Sequence, residues 1–193
     1  PISFPPEDFI AYFAVPWGSG LAVLILGAAV FVMRPNQASA RIVTMGLMAL
    51  SIFLTGLFGL NTTYTLIWVW IMAAALLGGL LASLALIFPT RSSLDYRQPA
   101  LRFLPIILMG IVGAVLAYFN ANPTSLEMPI WTQTAAAGSA LLGLLLLVIA
   151  LVARRRRVIS ALARDQINTV LIGAALCFAI AVIWALNMLS RGI

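Results

Sequence analysis

The chain is organised around residues 154–190, RRRRVISALARDQINTVLIGAALCFAIAVIWALNMLS. Four consecutive arginines close one long apolar segment. A linker with Arg164, Asp165 and Gln166 follows, and a second apolar segment begins directly after it. Arginine side chains are costly to move across a bilayer, so this block predicts a cytoplasmic connection between two membrane-spanning helices. The orientation of every other segment follows from it.

The composition is typical of a membrane protein. Of the 193 residues, 63% are hydrophobic and 8% are charged, whereas soluble domains contain about 25% charged residues. All eleven basic residues are arginine, histidine is absent, and the single cysteine, Cys177, lies within an apolar segment. We therefore expect no disulfide within the chain, no Cys/His metal site and no cofactor. The arginines lie between apolar segments, which argues against a nucleic-acid partner despite the net charge of +6.

Six apolar segments are each suited to cross a hydrocarbon core about 30 Å thick as an α-helix. Every arginine except Arg191 lies in the loops after the first, third and fifth segments, and Glu127 lies in a loop on the other side. The positive-inside rule places the arginine loops in the cytoplasm and the N-terminus outside. We predict one all-α transmembrane domain over 1–193, with helices at about 10–33, 42–60, 64–88, 103–119, 130–153 and 167–189.

The sequence argues against catalysis and ion transport. No charged residue falls inside a predicted helix, which disfavours a proton-coupled pump or a voltage sensor. There is no G-x-x-x-x-G-K-[ST] phosphate loop, an H-E-x-x-H motif requires histidine, and the serines have no histidine as a general base. We therefore expect a protein that is not an enzyme.

Small residues recur at four-residue spacing on several predicted helices. Such faces allow close backbone approach in lipid, so we expect them to pack within the bundle, or else to form a homodimer or bind another membrane subunit. The doubled face on the third helix is the strongest candidate for dimerisation. The stripes are Ser51/Thr55/Gly59, Ala74/Gly78/Ala82 beside Ala75/Gly79/Ser83, Ala135/Ser139/Gly143 and Gly173/Cys177/Ala181.

The tryptophans gather near the predicted outer ends of the helices. One interpretation is an interfacial belt, since amphipathic rings favour the headgroup region. The other is an outward-facing vestibule for an apolar or aromatic ligand, oriented by a few polar groups, with Trp68 facing inward. The candidate ligand residues are Trp17, Trp68, Trp131, Gln133, Trp184 and Asn187. At the inner surface, we expect an anchor to headgroup phosphates or to neighbouring helix ends, formed by Arg154, Arg155, Arg156, Arg157, Arg164 and Gln166.

Three stretches resemble the N-terminal seven-helix membrane region of bacterial sensor histidine kinases and related signalling phosphatases. They are MRPNQASARIVTMGLMALS (33–51), ASLALIFPTR (82–91) and ARDQINTVLIGAALCFAIAVIW (163–184). In the third, Arg164, Gln166 and Gly173 match the family's Arg-x-Gln and Gly pattern. The family has seven helices followed by an output domain, whereas six are predicted here. No catalytic residue can be carried over, because those residues lie in the output domains.

Three hypotheses about function remain. The resemblance implies a receptor input module in the bacterial inner membrane that senses a membrane-soluble or periplasmic signal through a shift in helix packing. The small-residue faces also suit a non-catalytic subunit or scaffold of a larger membrane complex. Six helices further suit a component of a small-solute transporter, which would require a pair of broken helices at mid-membrane.

Overall fold

The computed structural model describes residues 10–61, 66–88, 99–123, 128–156, 160–173 and 175, and every regular element within them is a helix. A π-helical turn covers Ile10–Ala14, and a 3-10 helix covers Pro99–Phe103. The α-helices are α1 (Val15–Met33), α2 (Ala38–Asn61), α3 (Ile67–Ile87), α4 (Leu104–Ala121), α5 (Met128–Arg155) and, as far as it is described, α6 (161–173).

Helices α1 to α5 are long and apolar enough to span a membrane. The 19 residues of α1 give a length of about 28 Å at ~1.5 Å per residue, close to the thickness of a hydrocarbon core. The chain is therefore an all-helical bundle with the character of a multi-pass membrane protein.

Contacts between successive helices are antiparallel, so one end of the bundle carries Arg34, Arg41, Arg102 and Arg154. We call this the arginine end and the other, with Trp17, Trp68 and Trp131, the tryptophan end.

Helices α2 and α6 begin earlier than predicted, within stretches that contain polar residues. Helix α2 begins at Ala38 rather than 42, because the chain turns at Pro35 and the turn is closed by an N–H···O bond from Gln37 to Arg34. Helix α6 begins at residue 161 rather than 167, so Arg164 and Gln166 lie within a helix and not in a linker. The part of the predicted sixth segment from 176 to 189 lies outside the described residues.

The start of the first span is irregular because of a proline. Pro16 has no backbone N–H, so it cannot donate to the carbonyl of residue 12, and its ring crowds the preceding turn. The chain forms the wider π-helical turn Ile10–Ala14 before the regular α-helix begins at Val15. Within the first turns of α1, the Ser19 hydroxyl donates to the carbonyl of Pro16 at 2.9 Å.

Helix α3 is the centre of the bundle. It packs against α2, α4 and α5, whereas α1 packs against α2 alone among the helices from α2 to α5. Three buried clusters follow α3 along its length, around Trp70 and Ile71, around Leu77 and Leu80, and around Ala85. The last of these also contains Leu147, Leu151 and Ile167, so the beginning of α6 closes the bundle at the arginine end.

The doubled small-residue stripe of α3 is used within the chain. A Cβ atom on Gly78 would meet the Ser139 carbonyl group of α5. A Cβ atom on Gly79 would lie 2.7 Å from the Pro105 carbonyl oxygen of α4. Both faces are therefore covered by neighbouring helices, and α3 cannot offer them to a second copy. A homodimer stays a prediction, and it would require a different surface.

Candidate functional site

The three tryptophans of the predicted outer vestibule that the structure describes do not come together. Trp17, Trp68 and Trp131 are 50%, 56% and 68% exposed and lie on three different helices. Trp184 and Asn187 lie outside the described residues. The exposed rings at the tryptophan end fit an interfacial belt, in which each ring meets the headgroup region separately.

The prediction that Trp68 faces inward is wrong. Trp68 and Trp70 both lie in the first turn of α3 but, two residues apart, point to different sides of the helix, and Trp68 is on the exposed side. The buried ring is Trp70, which is 5% exposed. Its indole N–H donates to the Phe53 carbonyl at 3.1 Å, and its ring stacks on Phe53 at 4.9 Å between centroids. Gly56 leaves room for this indole on α2.

The sequence contained a signal for Trp70 that the prediction missed. Trp70 lies four residues before Ala74, so it extends the stripe that continues with Gly78. On a helix, residues four apart share a face, and this face of α3 is buried.

A polar pair at the tryptophan end lies beside the predicted ligand residue Gln133. The Asn120 amide of α4 donates to the Thr132 hydroxyl of α5 at 2.8 Å, and that hydroxyl donates to the Pro129 carbonyl at 2.9 Å. Gln133 is half-buried next to Thr132. The sequence prediction named Gln133 and missed its two neighbours, which join α4 to α5.

The candidate binding site is a groove between α1 and α2, toward the tryptophan end, with a volume of about 460 Å³. Of the predicted ligand residues, Trp17 lines it, whereas Trp68, Trp131 and Gln133 do not. The groove is partly open, since its apolar lining side chains are between 40% and 50% exposed among the described residues. Its lining is Trp17, Leu21 and Leu24 from α1, with Met48, Ser51, Ile52 and Thr55 from α2.

The walls of this α1–α2 groove are apolar apart from two hydroxyl residues. The Thr55 hydroxyl donates to the Ser51 carbonyl at 2.8 Å on its own helix, so its proton is already used. Ser51 is buried. No charged residue lines the groove. Such a site can hold an apolar molecule through packing and offers little to fix a charged or strongly polar one.

The arginine end contains a specific contact between two helices. The Arg154 guanidinium donates from Nη1 to the Phe88 carbonyl and from Nη2 to the Leu86 carbonyl, the latter at 3.2 Å. The last carbonyls of a helix have no partner within it, and Pro89, next in the sequence, has no N–H to offer. A cation is also favourable at this negative end of the helix dipole. Arg154 therefore caps α3 from α5.

The other predicted anchors are placed differently. Arg155 and Arg156 are exposed at the end of α5, and Arg164 and Gln166 are exposed on α6. Arg157 lies outside the described residues. Asp165 is the single acidic residue in the part of the chain that the structure describes. The arginine end is therefore strongly cationic.

The described residues give no support for a metal site or for a transporter's broken helices. They contain no cluster of three or more His, Cys, Asp or Glu side chains. Helices α2, α3, α4 and α5 run without interruption through their described ranges.

Comparisons with protein-family models, with curated proteins and with solved structures gave no match.

Proposed function

We propose that this protein is the membrane-embedded input module of a bacterial signalling receptor, non-catalytic in itself, which binds an apolar ligand from the bilayer. The observation that carries the proposal is the α1–α2 groove, whose lining is mainly apolar, uncharged and partly exposed. The resemblance of three stretches to the membrane region of sensor kinases and related phosphatases supports the same function. In this proposal the ligand changes how α1 packs against α2.

The packing order offers a route from the groove to the arginine end. Helix α1 contacts α2, α2 contacts α3, and α3 contacts α4 and α5. The end of α3 is bonded to Arg154, and Ala85 of α3 shares a buried cluster with Ile167 of α6. A shift of α2 can therefore reach the start of α6 through packed side chains, provided that α3 has two arrangements.

The orientation belongs to the proposal as well: the arginine end faces the cytoplasm and the protein lies in the inner membrane. The arginine bias supports it. In a Cys177→Ala background, Glu127→Cys should react with an impermeant thiol reagent on intact cells, and Arg157→Cys should react only after lysis. Reaction of Arg157→Cys alone on intact cells would overturn this orientation.

The function is tested by a cross-link that reports on the arginine end. Ala85→Cys and Ile167→Cys are introduced together into a Cys177→Ala chain, because their side chains belong to one buried cluster. The rate of disulfide formation in vesicles is then measured with the groove open and with it filled by Leu21→Trp. We expect filling to change the rate, because the input module transmits a change in α1–α2 packing.

The matched control is Leu26→Trp, which adds the same ring on the exposed face of α1. It should leave the cross-linking rate unchanged. Met48→Trp fills the groove from α2 and serves as a second variant if Leu21→Trp fails to fold. Identical rates in all folded variants would mean that the groove does not communicate with α6.

A further inference from the structure

The shape of the α1–α2 groove indicates what kind of apolar molecule it holds. Its α1 wall consists of residues 17, 21 and 24, and its α2 wall runs from residue 48 to residue 55. Each wall covers seven residue steps, which is about 10 Å along the helix at ~1.5 Å per residue. The groove is therefore a slot that runs along the helix axes. In a membrane, that direction is also the direction of the lipid acyl chains.

The slot is too narrow to hold another helix between α1 and α2. A Cβ atom on Gly20 would lie 3.0 Å from the Ser51 carbonyl oxygen, so the two backbones nearly touch beside the groove. A helix with its side chains is about 10–12 Å across. The groove beside this contact therefore suits one extended hydrocarbon chain better than a second polypeptide.

The two ends of the slot differ in chemistry. At the tryptophan end, Trp17 is half-exposed and stacks on Phe13 at 6.3 Å between centroids. Indole rings favour the level of the lipid headgroups. At the deeper end, Leu24 and Met48 line the slot with apolar atoms. A molecule with a polar head near Trp17 and an apolar tail toward Leu24 matches this gradient.

We propose that the α1–α2 groove holds one acyl chain of a phospholipid, with its headgroup beside Trp17. This inference rests on the proposed function, since it names the class of ligand for the same groove. Lipid tails are as apolar as leucine, so retention comes from packing of the chain against both helices and not from escape from water. The expected preference over the open lipid face is therefore modest.

The experiment uses the full chain in dioleoylphosphatidylcholine vesicles that contain a phosphatidylcholine with a diazirine in its acyl chain. After irradiation, adducts are mapped by mass spectrometry. Leu21 and Leu24 should be labelled about fivefold more than Ile25 and Leu26, which corresponds to ~1 kcal/mol of retention. Ile25 and Leu26 are more exposed on the same helix, so simple access to lipid predicts the reverse order.

In the second part of the experiment, the groove is filled by a larger side chain before labelling. Leu21→Trp or Met48→Trp should reduce the labelling of Leu24 to the level of the lipid face, whereas Leu26→Trp should leave it unchanged. Labelling of Leu24 no higher than that of Ile25 in the unmodified chain would overturn the proposal. So would a disulfide-linked dimer of a Leu24→Cys, Cys177→Ala chain, because it would place a second copy of the chain on the groove.

Failure of this inference is distinguishable from failure of the proposed function. A compact aromatic diazirine that labels Leu24 strongly, while the acyl probe does not, would reject the acyl chain and leave an apolar input site in place. Strong acyl labelling together with an unchanged Ala85→Cys/Ile167→Cys cross-link would retain the lipid and reject the input function.

Discussion

Helices α1 and α3 are both apolar enough to cross a membrane, yet they occupy opposite positions in the bundle. In α3, 67% of the spanning window is buried, compared with 11% in α1. Hydrophobicity cannot produce this difference, because in lipid an apolar side chain gains little from leaving the solvent. Small residues do produce it. The α3 stripes allow α4 and α5 to approach on two faces, whereas Gly20 and Gly27 are the buried residues of α1 and both meet α2.

The largest effect that this comparison predicts concerns Gly78. Gly78→Leu should lower the free energy of unfolding by about 3 kcal/mol, because the new side chain would collide with the backbone of α5 near Ser139. Unfolding in detergent micelles, followed by near-UV circular dichroism, measures the change.

Gly138→Leu is the matched control for Gly78→Leu. A Cβ atom at Gly138 of α5 meets nothing within 4 Å. This variant should be neutral or more stable by up to ~1 kcal/mol, because leucine favours a helix more than glycine does. Equal losses of stability in the two variants would mean that close backbone packing does not determine the central position of α3.

The next largest effect concerns the end of α3. Arg154→Gln should destabilise the bundle by about 2 kcal/mol, because it removes charged hydrogen bonds to the Leu86 and Phe88 carbonyls. Arg155→Gln removes the same charge from an exposed neighbour and should change stability by less than ~0.5 kcal/mol. An equal change in Tm in the two variants would mean that the loss of one positive charge, and not the loss of the helix cap, causes the destabilisation.

The two tryptophans of α3 sharpen the comparison between a buried and an exposed face. Trp70→Phe keeps a ring for stacking but loses the N–H that donates to the Phe53 carbonyl, so a loss of about 1 kcal/mol is expected. Trp68→Phe changes an exposed ring, so its free energy of unfolding should differ from that of the original protein by less than ~0.5 kcal/mol. A larger loss at Trp68 in a thermal unfolding series would contradict the assignment of Trp70 as the buried ring.

The smallest effect is expected at the exposed arginine of α6. Arg164→Leu should lower stability by at most ~1 kcal/mol in vesicles with anionic lipid, since a basic side chain near such a surface contributes about that much. In phosphatidylcholine alone, the same variant should be close to unchanged. A loss that is independent of the lipid would indicate that Arg164 acts through protein contacts.

Much of the architecture follows from the sequence because the bilayer imposes a simple rule on segment length and charge. The apolar segments and the arginine loops between them identify the helices. The stripes at Gly78 and Gly79 are recognisable from the sequence as close-packing faces, but their use within the chain rather than in a dimer is seen only in the structure. Helix ends are less predictable. Ala38 and residue 161 begin helices before the apolar segments do, because local turns and caps, and not hydropathy, determine where a helix starts.

The candidate site was far less predictable. Periodicity places residues on a face of one helix but does not say which helix covers that face. The choice between Trp68 and Trp70 depended on Phe53 and Gly56 of α2, and the groove depends on where α1 and α2 separate beside Gly20. The Asn120–Thr132 pair joins two helices across a loop, which single-helix patterns do not relate.

The Arg154 cap has a consequence for biogenesis. Arg154 is separated by 66 residues from Phe88, whose carbonyl it binds. During synthesis from the N-terminus, α3 is therefore complete well before its capping residue has been made. Until α5 arrives, the last carbonyls of α3 depend on water or other polar groups for hydrogen bonds. We expect nascent chains that stop before Arg154 to be cleaved after Phe88 by an added protease, and chains long enough to expose Arg154 from the ribosome to resist it.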